Sequence, residues 1–121
     1  MPLILIVDDS PTEVHVMKKA LESHGYRTAV AADGAEGIRL ARQMHPDLIF
    51  MDIVMPGVNG YQATRTLAND PDTRTIPIVM VTSKGQETDR IWGLRQGAID
   101  YMIKPVSMDQ LLEKAQAALA A

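Results

Sequence analysis

Asp8 and Asp9 stand together after one apolar run, Asp52 after a second, Thr82-Ser83-Lys84 after a third and Lys104-Pro105 after a fourth. Gathered in one place, these side chains would do a particular chemistry. Two ionised carboxylates about 5 Å apart repel by roughly 3 kcal/mol at an effective dielectric near 20. Three sharing a rim must therefore keep a proton or hold a cation. An all-oxygen donor set with no histidine or cysteine nearby suits Mg²⁺, with Mn²⁺ or Ca²⁺ as substitutes. Mg²⁺ keeps waters and commonly keeps company with a phosphate. A lysine ammonium and a threonine hydroxyl are the donors a phosphate needs. The set describes phosphoryl transfer to or from an aspartate, with a carboxylate as nucleophile. Singly, each residue also has an ordinary role. Asp8-Asp9 can cap a helix, Asp52 can open the Met55-Pro56-Gly57 turn, Thr82 can end a strand, and Lys104-Pro105 can turn the chain.

What separates the two readings is the set of elements that must position them. Leu3–Val7, Leu48–Met51, Ile76–Val81 and Tyr101–Ile103 are short apolar runs with little alternation, and Thr28–Ala31 is a weaker one. Such runs suit strands buried on both faces. Helical spacing fills the gaps. Ser10 caps the first helix, with Pro11 at its first position and Glu13 completing a capping box. Val14, Met17 and Leu21 form its inner face, and His24-Gly25 ends it. The second runs from Asp33 to His45-Pro46 with Gly37, Leu40, Ala41 and Met44 inward. The third spans Gly60 to Ala68, and the fourth runs from about Gln86 to Gln96 with Ile91 and Leu94 inward and Gly97 as its stop. The last starts at Ser107, with Gln110 in a second capping box and Met108, Leu111, Leu112, Ala115 and Leu119 as its stripe. Five βα units predict an α/β fold: a five-stranded, parallel, doubly wound sheet with helices on both faces. In such a sheet ligands bind beyond the carboxyl ends of the strands, where every one of the chemical residues falls.

Composition bounds the alternatives. A chain of 121 residues, 46% hydrophobic and 22% charged, predicts one domain over residues 1–121 with no linker, repeat or output domain. The net charge of −3 lacks a basic patch, so no nucleic-acid partner is expected. With no cysteine, disulfides and thiol chemistry are excluded. Leu3–Val7 is too short to span a membrane and too acidic in its flank for a signal peptide. A cytoplasmic monomer away from membranes is the expectation.

Val7-Asp8-Asp9-Ser10, Asp52 through Pro56 to Gly60, Val81-Thr82-Ser83, Gly97 to Tyr101 and Lys104-Pro105 together resemble the receiver domains of two-component response regulators, the CheY type. The resemblance covers essentially the whole chain and implies the flavodoxin-like strand order 2-1-3-4-5. It implies Asp52 as phosphoacceptor, and Mg²⁺ (or Mn²⁺) on Asp9, Asp52 and the Val54 carbonyl, with Asp8 acting mostly through water. Lys104 is implied on the phosphoryl oxygens, Thr82 and Tyr101 as the switch pair, and a cis bond before Pro105. Val54 and Lys84 occupy the two positions that the resemblance implies tune phosphoryl lifetime. Val54 has no group to bind an attacking water, which implies slow to moderate autodephosphorylation. The implied partners are a histidine kinase as phosphodonor, docking against the first helix, and a downstream protein at the face of the fourth helix, fifth strand and fifth helix. The chain is not expected to be an enzyme beyond its own phosphorylation and dephosphorylation. The stretch Met55 to Leu67, and Gln86 to Asp89 leading to Trp92-Gly93, is similar to single-domain receivers of twitching-motility chemosensory systems, the PilH type. A flagellar-type receiver and a phosphate sink are the alternatives within the family.

Other classes fit less well. A flavodoxin-like cofactor binder wants a Ser/Thr/Gly-rich phosphate loop where this chain has Asp8-Asp9. An aspartyl-nucleophile phosphatase wants Asp-x-Asp, and the pair here is contiguous. A phosphorylation-independent module would lack an acid, the lysine or the threonine. His15, His24 and His45 have no metal spacing. The methionines read as core filler or initiator, Met108 being the exception to test. Trp92 reads either as buried beside Ile91 or as an interface anchor.

Overall fold

The computed structural model describes residues 1–83 and 87–120. Its elements are β1 (Leu3–Val7), α1 (Pro11–Ser23), β2 (Arg27–Ala31), α2 (Gly34–Met44), β3 (Leu48–Asp52), α3 (Gly60–Ala68), β4 (Ile78–Thr82), α4 (Glu87–Gln96), β5 (Asp100–Ile103) and α5 (Met108–Ala120). The sheet is parallel throughout, in the order β2-β1-β3-β4-β5. β4 starts two residues later than the apolar run, because Pro77 has no N–H for the ladder.

Side-chain alternation builds two cores from one sheet. Ile4, Ile6, Leu48, Phe50, Val79, Val81 and Met102 face α1 and α5, where Met17, Leu21, Leu111 and Ala115 meet them. Leu5, Val7, Ile49, Met51, Ile78 and Met80 face the other way, against Ala41, Ala63 and Leu67 of α2 and α3. β1, β3 and β4 are buried at every residue, which is why their sequences do not alternate.

Four inward assignments on the helices fail. Ile91 and Leu94 of α4 are exposed, Ile91 at 43%. The inward position is Gly93, whose added Cβ would lie 2.8 Å from Met80 Sδ. α4 thus lies against the sheet through a glycine, and residues two back and one on turn outward by the helical period. Met44 is exposed too, and Ile38 packs in its place. Met108 is 51% exposed, leaving Leu111, Ala115 and Ala118 as the buried stripe of α5. Trp92 is exposed at 51%, its ring edge-on to Tyr61 with centroids 6.4 Å apart. The burial reading of Trp92 is therefore wrong. Lys84 and Gln86 lie outside the described residues. Among the described residues no helix is long and apolar enough to cross a membrane.

The loop after β3 shows how tightly the rim is built. Gly60 donates its N–H to the Ile53 carbonyl at 2.9 Å, starting α3 directly under the end of β3. A Cβ at Gly60 would sit 2.1 Å from the Asp52 carbonyl oxygen and 2.7 Å from Ile53 Cα, both backbone atoms that cannot rotate away. Gly60→Ala is expected to cost about 1–3 kcal/mol, the usual range for overpacking. Urea unfolding measures it, and an unchanged midpoint would show that the loop yields freely.

Candidate functional site

The register brings the strand ends abreast. Val7 pairs with Met51, Asp52 with Val81 and Thr82 with Ile103, so Asp8, Asp52, Thr82 and Lys104 share one rim. The ladder runs on past the strands: Asp8 N–H donates to Ala31 at 3.0 Å and Lys104 N–H to Thr82 at 2.7 Å. Alternation then sorts the rim by face. Asp8 continues Ile4 and Ile6, Asp52 continues Leu48 and Phe50, and Lys104 continues Met102, so these three share the α1/α5 side. Thr82 continues Ile78 and Met80, and with Tyr101 belongs to the opposite side.

The polar geometry follows from that sorting. Lys104 Nζ lies 3.1 Å from Asp52 Oδ1 and 3.3 Å from Asp8 Oδ2. Glu13, from the first turn of α1, pairs with the same ammonium. Asp8 is fixed by accepting the Ser10 N–H at 2.8 Å through Oδ1. Asp8 and Asp52 are buried and Asp9 is exposed. Ligand oxygens of Asp8, Asp9 and Asp52 lie within 4.8 Å of one another.

Burial dominates the electrostatics. It pushes the Asp52 carboxyl up to about 6; the Lys104 hydrogen bond opposes this, and the charges of Asp8 and Asp9 reinforce it. Burial raises Asp8 as well, against its Ser10 and Lys104 contacts. Lys104 loses some affinity for its proton to burial, but its bonds to Glu13 and Asp52 outweigh this and hold it protonated. The donor set fits a hard divalent cation. It is all oxygen and carries excess negative charge. Asp8 Oδ2 is also buried with no aligned hydrogen bond, despite its ion-pair distance to Lys104.

The remaining assignments sort plainly. Thr82 is buried at the end of β4. With Tyr101, Met80, Ile53 and Arg90 it lines a cavity of about 10 Å³. The Arg90 guanidinium stacks over the Tyr101 ring at 5.4 Å. Val54 projects its side chain into solvent, and the Lys104-Pro105 bond is cis. Sequence reasoning missed Glu13 as a site residue, because its place three after Ser10 has a sufficient explanation in capping. Ser10 Oγ does accept the Glu13 N–H, at 3.4 Å, but the reciprocal half of the box is absent. The Ser10 N–H is taken by Asp8, and the Glu13 carboxylate turns to Lys104. A complete box that sequence reasoning passed over pairs Asn59 with Gln62 at the start of α3.

Comparison with known proteins gives a consistent result. The response regulator receiver domain model matches residues 4–116. Protein PilH of Pseudomonas aeruginosa is 54% identical over 120 residues, covering 99% of each chain. The receiver domain of a Pseudomonas aeruginosa sensor histidine kinase, solved with a magnesium ion coordinated in its active site cleft, superposes with a TM-score of 0.92. It is 33% identical and covers 99% of this chain and 98% of that one. Chemotaxis protein CheY4 of Vibrio cholerae superposes at 0.93 with 28% identity, covering 98% and 99%.

The raised Asp52 value has a definite sign for stability. An acid that holds its proton more tightly when folded costs stability once ionised, and the cost is complete above the folded value near 6. It is relieved as pH falls from about 6 toward the unfolded value of 3.8. Without metal, Asp52→Asn is expected to stabilise the fold by about 2–3 kcal/mol at pH 7.5. The gain should shrink toward pH 4.5. Urea titrations in chelator at the two pH values measure it; a gain that does not depend on pH would remove Asp52 as its source.

Proposed function

Because this chain belongs to the response regulator receiver domain family, we propose that Asp52 is its phosphoacceptor and that a kinase phosphohistidine is the donor. The observation that carries this is a single one. A buried aspartate whose proton affinity is raised lies 3.1 Å from a protonated lysine and within 4.8 Å of two more carboxylates.

The chemistry follows from those groups. An Asp52 oxygen attacks phosphorus as the donor's P–N bond breaks, and the imidazole leaves with the electron pair and takes up a proton. Asp8, Asp9, Asp52 and the Val54 carbonyl would hold Mg²⁺, which supplies charge neutralisation for the phosphoryl oxygens when bound. Lys104, its side chain only 13% exposed, would offer its ammonium to the same oxygens. Thr82 supplies a hydroxyl donor. As it draws toward the phosphoryl group, Tyr101, lining the same cavity, repacks behind it. The acyl phosphate thus shifts a population between two arrangements. The readout surface is the α4-β5-α5 face, where Ile91, Leu94, Ile103 and Met108 are exposed, and a downstream protein binds there.

The pathway proposed is chemosensory control of twitching motility, supported by the identity to PilH along the whole chain. Flagellar-type chemotaxis is the second reading, favoured by the likeness to CheY4.

Intact mass after treatment with a small acyl phosphate, with and without Mg²⁺, tests the proposal. One phosphoryl adduct that requires Mg²⁺ and is lost in Asp52→Asn is expected, with Lys104→Ala slowing its formation by about a hundredfold. An adduct that persists in Asp52→Asn would move the chemistry elsewhere.

A further inference from the structure

We propose that Glu13 is a positioning residue for phosphoryl transfer, an internal anion that holds the Lys104 ammonium until a phosphoryl group displaces it. The inference rests on the reading of Asp52 as phosphoacceptor. Three observations carry it.

The first is donor arithmetic. A lysine ammonium has three N–H donors and no acceptor. Three carboxylates, Asp8, Asp52 and Glu13, already surround Lys104 Nζ. Its side chain is only 13% exposed, so little water competes for those donors. An incoming phosphoryl oxygen must compete with all three for the ammonium. Asp8 and Asp52 are held at strand ends in the sheet, and Asp8 is also pinned by Ser10. Glu13 is carried on the first turn of α1 by a longer side chain, and is the one that can swing.

The second is the orientation of Glu13. Its Oε2 is buried and has no hydrogen-bond partner among the described residues apart from its pairing with Lys104. The alternative partner expected at that position, the Ser10 N–H, is occupied by Asp8. The carboxylate is therefore committed to the ammonium.

The third is charge. Asp8, Asp52 and Glu13 surround one lysine, and Asp9 lies within 4.8 Å of Asp8 and Asp52, so four carboxylates share the site. A phosphodonor is itself an anion, and each further negative charge at a few ångströms opposes its approach. Glu13 thus acts twice, by occupying Lys104 and by repelling the donor.

No new covalent step is involved: the P–O or P–N bond of the donor still breaks as the Asp52 O–P bond forms. What changes is which acceptor holds one Lys104 N–H. The test measures Asp52 phosphorylation by acetyl phosphate in Mg²⁺ for the full chain, Glu13→Gln, Lys104→Ala and the double variant, followed by intact mass. Glu13→Gln keeps the shape and removes the charge, and is expected to accelerate phosphorylation by about three- to tenfold. Glu13→Asp, with its shorter reach, is expected to fall between the two. In the Lys104→Ala background the Gln substitution should lose the part of its effect that runs through the ammonium and keep only the part due to repulsion of the donor. A merely structural role would not show that coupling. Equal rates for wild type and Glu13→Gln, or an acceleration that persists undiminished without Lys104, would overturn the assignment of Glu13 alone. No Asp52 adduct in the wild type would overturn the phosphoacceptor reading beneath it.

Discussion

One ammonium among four carboxylates is the constraint from which the rest of the molecule can be understood. Lys104 sits at ion-pair distance from Asp8, Asp52 and Glu13, with Asp9 close by. Such a cluster is poor as a source of stability, since removing ions from water costs about as much as their attraction returns. The arrangement leaves an excess of negative charge that a divalent cation and a phosphoryl group can together rebalance. A fold built for stability alone would have no reason to bury Asp52 with its proton affinity raised to about 6.

The doubly wound sheet is what makes this cluster possible. All strands run the same way and end abreast, so four separate stretches of sequence deliver polar residues to one edge. Alternation divides the delivery. Acids and lysine go to the side of α1 and α5, while Thr82 and Tyr101 go to the side of α3 and α4. The acid–lysine cluster and the Thr82–Tyr101 pair therefore occupy opposite faces of one sheet, joined through the backbone bond from Lys104 N–H to Thr82.

What was legible in the sequence followed from regular geometry. A strand buried on both faces reads as an unbroken apolar run, and the residue after it must lie on the rim, so Asp8, Asp9, Asp52, Thr82 and Lys104 could be placed without coordinates. Glu13 could not, because a cap and an ion-pair partner call for the same residue at the same position. Only the competition for the Ser10 N–H decides between them. Ile91 and Leu94 misled for a similar reason. Their i, i+3 spacing is that of a buried stripe, but a glycine between them had already claimed the inward position. Periodicity counts large side chains, and it overlooks a contact made by having none.

That same glycine bears on how α4 is held. A helix usually keys into a sheet by side chains lodged in sockets, and shifting it means emptying them. At Gly93 this helix instead rests its bare backbone on the thioether of Met80, a flexible and polarisable cushion with several rotamers of similar energy. With Ile91 and Leu94 turned to water, the hold of this stretch on the sheet depends on one adaptable side chain of β4 rather than on sockets of its own.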